Sequence, residues 1–369
     1  MDDDDTFVKV KDNTEINDIR PPPQFKGITF SNFKKTDVRK QLLDNLSKGR
    51  IEPSCYWSAE FICAGHYGEL WEIILYYIGK HIHLGNPKII LYLENRYNIF
   101  RNIMSQGQFL NELQLRNHPN IRNLFAEVIC VIATSNKKNS LEPIKINRVE
   151  EFDITQMSEK LHAPNIQYVD GIFRKDDPKE LFIAMNEFAY NISTDRASML
   201  NACYWIEWTI DFEAICKKRK VPCKCETRGS LPVENKFKTD AIWLIWDIIM
   251  HYSSILNNNF IDRLIHAVKQ AFCIKYTTAS CKKRRYLLYF AIALLTEHVP
   301  TNIEINNNKQ LIQTVIGQIN MVYKQIKKNE HSPNTEYLFA NLERENTFEI
   351  SMRKMELVNS MDFMSRKST

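Results

Sequence analysis

Two stretches of this chain are alike, and they occur in the same order in each half of the sequence. Each begins with Cys-Tyr-Trp, at residues 55–57 and 203–205, and continues to an apolar block centred on a tryptophan, at residues 70–77 and 245–252. The two apolar blocks share four identical residues in eight positions. Internal repeats constrain the architecture before any other feature. The collinear order predicts one helical unit used twice, with the aromatic residues of both copies in the core.

Apolar residues recur at helical spacing through most of the chain, and glycine or proline separates the predicted helices. A leucine stripe that ends at Leu46 is followed by Gly49, and Pro119 begins a helix rich in isoleucine. Glycine is scarce, with 10 residues, which argues against glycine-rich nucleotide-binding folds. The sequence therefore predicts an all-α protein of two related helical bundles, formed by internal duplication, with flexible N- and C-terminal tails.

The predicted domain boundaries follow changes in composition. Residues 1–34 include an acidic start and three consecutive prolines, and we expect a disordered tail. Residues 35–135 are the first predicted bundle, residues 136–176 a polar connector, and residues 177–298 the second bundle. The second bundle has a basic insertion at 216–240, because its repeated tryptophans, Trp205 and Trp246, are 41 residues apart, whereas Trp57 and Trp71 of the first are 14 apart. Residues 299–369 are predicted to form one helix and a polar tail.

Composition restricts the class of protein more than it identifies a partner. The net charge of +5 is too small to indicate one by itself. The nine cysteines are scattered, so we expect reduced thiols and an intracellular location. No apolar run approaches the ~18–20 residues of a membrane span. Phosphate-binding loops, nucleophile elbows and H-E-x-x-H motifs do not occur in the sequence, and we expect no enzymatic activity and no cofactor.

The basic insertion is the most distinctive chemical feature of the sequence. A second basic run occurs where a later helix is predicted to begin, and a bound polyanion would offset the cost of placing cations there. These runs predict a surface that contacts the phosphate backbone of nucleic acid. A solvated loop is the alternative, and the first run could also be a nuclear-import signal. The predicted contacts are Lys217, Lys218, Arg219, Lys220, Lys224, Arg228, Lys282, Lys283, Arg284 and Arg285.

Three cysteines of the insertion, Cys216, Cys223 and Cys225, are candidates for zinc ligands. A structural zinc site needs four ligands and usually shows paired C-x₂₋₄-C spacings. The C-x₆-C-x-C spacing supplies three ligands, so the fourth would come from elsewhere, such as Cys203 or Cys281. Free thiols in a basic loop are the alternative, and we expect no bound metal.

Several motifs are spread along both predicted bundles. The first contains Ser-Lys-Gly-Arg-Ile-Glu at 47–52, Cys-Tyr-Trp-Ser-Ala-Glu at 55–60, Gly65, Trp-Glu-Ile-Ile at 71–74 and His-Leu-Gly-Asn-Pro at 83–87. Lys-Asp-Asp-Pro-Lys-Glu-Leu-Phe follows at 175–182, Ala-Cys-Tyr-Trp-Ile-Glu-Trp at 202–208 and Arg-Arg-Tyr-Leu at 284–287. Over most of residues 35–298 the chain resembles an uncharacterised family of large DNA viruses of eukaryotes, of the mimivirus and phycodnavirus kind. The resemblance implies a viral origin and carries no assigned activity.

The first predicted bundle also resembles the C-terminal helical domain of RarA-type clamp-loader-related ATPases. The likeness lies in the order of Gly49, Tyr56-Trp57, Gly65, Ile82, Leu84 and Asn86-Pro87. In that family this region oligomerises beside an ATPase domain, which this sequence lacks. The resemblance therefore implies an assembly module near replicating DNA and does not imply ATP hydrolysis.

These observations predict a non-enzymatic accessory or scaffold protein of viral DNA replication, repair or transcription. Its expected partners are nucleic acid, viral proteins or both, with no membrane. The alternative is a virion structural or assembly protein that bridges neighbouring proteins and has no nucleic-acid role. The expected location is intracellular, in the host cytoplasm, a viral factory or the nucleus, and the alternative role adds the virion.

Overall fold

A computed structural model describes residues 14–106, 111–148, 152, 157–305, 308–330 and 347–360. These residues are all-α, as predicted, and within them the only strand-like pairing is an isolated bridge between Ile28 and Lys34. The helices are α1 (Lys35–Ser47), α2 (Ile51–Cys63), α3 (Tyr67–Tyr77), α4 (Ile89–Gln106), α5 (Glu112–Asn117), α6 (Pro119–Thr134), α7 (Phe182–Ile192), α8 (Met199–Arg219), α9 (Ile242–Ile255), α10 (Asn259–Cys273), α11 (Thr278–Cys281), α12 (Arg285–Thr296), α13 (Lys309–Lys327) and α14 (Thr347–Asn359).

The helices pack into two compact units whose boundaries differ from the predicted ones. The first unit takes the described residues up to 73, residues 98–134 and those from 308 onward; the second takes residues 74–97 and 135–305. Residues 74–97, predicted in the first bundle, thus group with the second, and α13 groups with the first. An apolar stripe predicts that a helix is buried but does not identify the helix that buries it. The internal duplication stays a prediction.

Helix α2 is the centre of the first unit, where it packs against α1, α6 and α13. Every residue of α2 after Ile51 is buried. Gly49 makes the turn from α1 into α2 with a φ of +68°, a left-handed conformation that favours glycine. Trp57 and Trp71 are 0% and 2% exposed, so these aromatic residues belong to the core and have no surface free for stacking on bases.

The chain before α1 packs onto the first unit. Ile16, Phe25 and Phe30 are completely buried, and residues 22–25 form a 3₁₀ turn that includes the last two prolines. The prediction that residues 1–34 form a disordered tail is therefore wrong for residues 14–34, while residues 1–13 lie outside the described residues. Burial of the large aromatic side chains supplies a driving force that the average polarity of the segment concealed.

Side chains at the end of α5 bind the backbone of this N-terminal segment. The buried guanidinium of Arg116 donates hydrogen bonds to the carbonyl oxygens of Asp18 (3.2 Å) and Arg20 (2.8 Å). The Asn117 side chain accepts from the backbone N–H of Ile16 and donates to its carbonyl, at 2.8 Å each. These hydrogen bonds satisfy backbone groups that no helix or strand pairs.

A buried carboxyl group of α2 holds the turn that precedes α1. Glu60 accepts hydrogen bonds from the backbone N–H of Ser31 (3.0 Å) and from its hydroxyl (2.6 Å). Burial raises the pKa of Glu60, and the hydrogen bonds from Ser31 oppose that rise. The carboxyl group is therefore more costly to ionise in the folded protein than in the unfolded chain.

In the second unit, α8 packs against α7 and α12, and α12 packs against α10. Trp205 and Trp246 are 1% and 0% exposed, so the second set of repeated tryptophans also lies in a core. Much of the unit is not helical: residues 135–148, 158–178 and 220–234 contain only short 3₁₀ or turn segments. Residues 136–176, predicted as a connector, contribute the buried Val169 and Ile172 to this unit.

Replacement of Glu60 tests how the N-terminal segment is held. Glu60→Ala should lower the free energy of unfolding by about 1–3 kcal/mol, because it removes the acceptor of the Ser31 N–H. Glu60→Gln should cost less, since its amide can accept from that N–H and donate to the Ser31 hydroxyl. Urea unfolding measures both values.

The difference in stability between the wild type and Glu60→Gln should also depend on pH. A raised folded-state pKa means that ionisation of Glu60 opposes folding, so wild-type stability is lost as pH rises from the unfolded to the folded pKa. The stability of Glu60→Gln relative to wild type should therefore increase with pH over that range. Equal losses for the Ala and Gln variants at every pH would contradict the assignment.

Candidate nucleic-acid interface

The basic insertion begins in the last turn of α8. Lys217, Lys218 and Arg219 lie at the C-terminal end of that helix, where cations interact favourably with the helix dipole. Lys220 caps the helix in a left-handed conformation with a φ of +58°, and the backbone N–H of Val221 bonds back to the Cys216 carbonyl (3.0 Å). This cap turns the chain back, so that Cys223 reaches Cys216 in the last turn of α8.

Seven of the ten predicted contact residues are exposed, and three are buried. All seven exposed residues carry a positive charge to solvent from the end of α8, the loop after it, or the 3₁₀ turn before α12. They are Lys217, Lys218, Arg219, Lys220, Lys224, Lys282 and Lys283.

Arg228 is not available to nucleic acid, and its prediction as a contact is wrong. Its side chain is 3% exposed and forms a two-pronged ion pair with the completely buried carboxylate of Asp177. Its Nε atom also lies 3.3 Å from Asp247. Burial alone would raise the pKa of Asp177, but hydrogen bonds from Arg228 and from the backbone N–H groups of Arg174 and Glu226 lower it.

Arg284 and Arg285 are likewise buried, so their prediction as contacts is also wrong. Arg284 donates a hydrogen bond to the carbonyl of Phe272 (2.5 Å). Arg285 lies 3.0 Å from one carboxylate oxygen of Glu207. The other oxygen of Glu207 accepts a hydrogen bond from the Tyr289 hydroxyl (2.7 Å). These internal partners compensate the guanidinium groups of Arg284 and Arg285 at the start of α12.

An acidic residue places the second basic run beside α8, the helix whose last turn carries the first run. The Nζ atom of Lys282 is 3.9 Å from the carboxylate of Asp211, in the second half of α8. The charge of Lys217 acts on the Asp240 carboxyl, which accepts hydrogen bonds from Tyr276 (2.9 Å) and Thr278 (2.8 Å) just before the second run. The fold therefore brings together cations that are far apart in the sequence.

The candidate zinc ligands lie close together but do not form a metal site. Cys216 and Cys225 are buried, Cys223 is partly exposed, and all three are free thiols. Among the residues that the structure describes, no group of three or more histidine, cysteine or acidic residues is arranged to hold a metal ion.

Sequence reasoning missed a carboxyl group beside these thiols. Burial and the neighbouring Asp240 carboxyl raise the pKa of Glu213 to about 7, and its charge also acts on Cys216 and Cys223. No motif marks Glu213 in the sequence. Its helical spacing from Cys216, three positions on, is the one signal that places both side chains on the same face of α8.

The buried ion pair should be essential for the fold of the second unit. Asp177→Ala should lower the free energy of unfolding by about 3–5 kcal/mol, because it leaves the Arg228 guanidinium buried without a counter-charge. A double replacement, Asp177→Leu with Arg228→Met, should recover a large part of that loss. Urea unfolding of the wild type and the two variants measures both effects, and a double variant that is no more stable than Asp177→Ala would contradict the pairing.

Acid should remove the same interaction. Because the folded-state pKa of Asp177 is lowered, the stability from the pair is present above the unfolded pKa of about 3.9 and is lost as pH falls toward the folded value. The wild type should lose stability over this range, whereas the double variant should lose less. Identical acid profiles for the two proteins would show that the pair is not responsible.

Comparisons with models of protein families, with curated proteins and with solved structures gave no match for this chain. In the described residues, every helix is too short or too polar to cross a membrane. The chemistry of the exposed basic residues is therefore the basis on which a function can be argued.

Proposed function

We propose that this protein is a non-enzymatic accessory or scaffold protein of viral DNA replication, repair or transcription. In this proposal it contacts the nucleic-acid backbone through seven side chains, which we call the basic surface. They are Lys217, Lys218, Arg219, Lys220, Lys224, Lys282 and Lys283. The viral setting comes from the sequence resemblance, and the contact surface from the positions of these side chains.

The observation that carries the proposal is the convergence of two basic runs beside α8. Lys282 lies next to Asp211 of α8, and Lys217 acts on Asp240, which is bonded to the start of α11. A single run of lysines is common on solvated surfaces. Two runs that approach each other across a fold create a patch of positive potential, which attracts a polyanion and releases its counterions.

Nearby acids leave most of this positive charge uncompensated. Asp211 is 15% exposed and is shared between Lys282 and Arg148, at 3.9 and 3.0 Å. Glu226 pairs with Arg174 at 3.0 Å. Asp211 offsets part of the Lys282 charge and Asp240 part of the Lys217 charge, whereas Glu226 pairs outside the basic surface. With seven cations against these two acids, the basic surface keeps an excess of positive charge.

Salt-dependent binding tests the proposal. The wild-type protein should retard duplex DNA in a mobility-shift assay, and the logarithm of its affinity should fall linearly with the logarithm of salt concentration. If all seven cations contact phosphates, the slope should reach about −6. Replacing all seven residues with Gln should remove most of the slope and weaken binding at low salt.

A second variant separates the basic surface from net charge. The control replaces seven exposed lysines of the first unit with Gln, so its net charge equals that of the basic-surface variant. These lysines are Lys26, Lys34, Lys40, Lys48, Lys309, Lys324 and Lys328. This control should keep the wild-type slope. Equal weakening in both variants would contradict a defined surface. Absence of binding by the wild type at low salt would overturn the proposal and favour the alternative of a virion structural protein, which abundance in purified particles would then support.

A further inference from the structure

Two thiols of the basic insertion interact directly. The side chains of Cys216, in the last turn of α8, and Cys223, in the loop after it, form a hydrogen bond. The left-handed cap at Lys220 and the bond from Val221 to the Cys216 carbonyl turn the chain back so that this contact can form. Cys225 acts on Cys223 only through its charge, and its own backbone N–H is held by the Thr239 carbonyl at 2.9 Å.

Solvent can reach this pair from one side. Cys223 is partly exposed, whereas each of the other eight cysteines of the chain is buried. Cys216, its hydrogen-bond partner, is 8% exposed. An oxidant of small size can therefore meet Cys223 first, with a second thiol already in contact to complete the reaction.

We propose that Cys216 and Cys223 are a thiol–disulfide modification site, at which glutathione disulfide or a similar small disulfide links the end of α8 to the insertion. The link closes a loop that contains Lys217, Lys218, Arg219 and Lys220. The modification does not depend on nucleic-acid binding, although it lies within the basic surface.

The reaction is two successive exchanges of thiol and disulfide. The Cys223 thiolate attacks one sulfur of glutathione disulfide, which forms a mixed disulfide and releases one glutathione thiolate. The Cys216 thiolate then attacks the Cys223 sulfur and releases the second glutathione. Two protein thiols are oxidised, and one glutathione disulfide is reduced to two glutathione molecules. The two glutathione thiolates that are released take up the two protons that the cysteines lose.

Burial and the surrounding groups make this exchange slow at neutral pH. Burial raises the pKa of Cys223, and the neighbouring Cys216 and Cys225 thiols and the Glu213 carboxylate raise it further. Burial also raises the pKa of Cys216, where the hydrogen bond with Cys223 lowers it, Glu180 and Glu213 raise it and Arg219 lowers it. Because the thiolate is the attacking species, the rate should increase with pH. Glu213→Gln should increase it further, since one nearby negative charge is removed.

Peptide mapping of the full chain tests the site. The reduced protein is incubated with excess glutathione disulfide, the remaining thiols are alkylated, and the protein is digested with trypsin without reduction. Trypsin cleaves after Lys217, Lys220 and Lys224, which places the three cysteines of the insertion on separate peptides. Mass spectrometry should find the peptide that ends at Lys217 joined to residues 221–224, and a reducing agent should release them.

Matched variants assign the bond. Cys225→Ser should retain the linked peptides. Cys216→Ser should lose them and keep glutathione on Cys223, which also excludes Cys203 on the same tryptic peptide. Circular dichroism of each variant checks that it is folded, and Cys216→Ala provides a second replacement. The proposal is overturned if wild-type Cys223 retains glutathione without an internal bond, or if residues 221–224 are joined to the Cys225 peptide instead.

Mobility-shift assays on the same samples keep the two proposals separate. The linked peptides are detected by mass, so they should be found even if the protein does not bind DNA. Conversely, DNA binding by a protein that forms no such bond would support the basic surface and overturn the modification site.

Discussion

The ion pair between Arg228 and Asp177 holds two non-helical segments of the second unit together. Asp177 lies at the end of the long segment before α7, and Arg228 lies in the segment between α8 and α9. Only short 3₁₀ turns supply helical hydrogen bonds in residues 158–178 and 220–234 of these segments, so other polar contacts must hold them. Backbone groups of Glu226 and Ile172 complete the hydrogen bonding of the pair, which a buried ion pair requires to offset its desolvation. The loop that carries Lys224 is thereby held to the segment before α7.

The basic residues of this region divide by type as well as by position. The three buried residues are Arg228, Arg284 and Arg285, whereas six of the seven exposed residues are lysines. The arginine side chain offers five donors in a fixed plane and is weakly hydrated, so it can satisfy carboxylates and carbonyls in the interior. Lysine carries a compact, strongly hydrated charge that favours solvent. The buried Arg116 and Arg122 of the first unit follow the same rule.

The N-terminal segment shows why average composition is a poor guide to disorder. Seven acidic residues and three prolines precede α1, yet Phe25, Phe30 and Phe33 are buried in the same segment. A few large aromatic side chains can order a polar segment when a receptive surface exists. Arg116 and Glu60 supply that surface with the hydrogen-bond partners that the irregular backbone needs. Neither partner is near the segment in sequence.

The sequence by itself determined the helical class, most helix positions and the burial of the repeated tryptophans, because periodic apolar residues and flanking Gly or Pro act over a few positions. Tertiary structure alone decided the boundaries of the two units, the packing of residues 14–34 and whether each cation is buried or exposed. Whether Arg228 faces solvent or Asp177 depends on a partner 51 residues away. The contact of Cys216 with Cys223 similarly depends on a chain reversal at Lys220, a residue whose type does not favour the left-handed conformation it adopts.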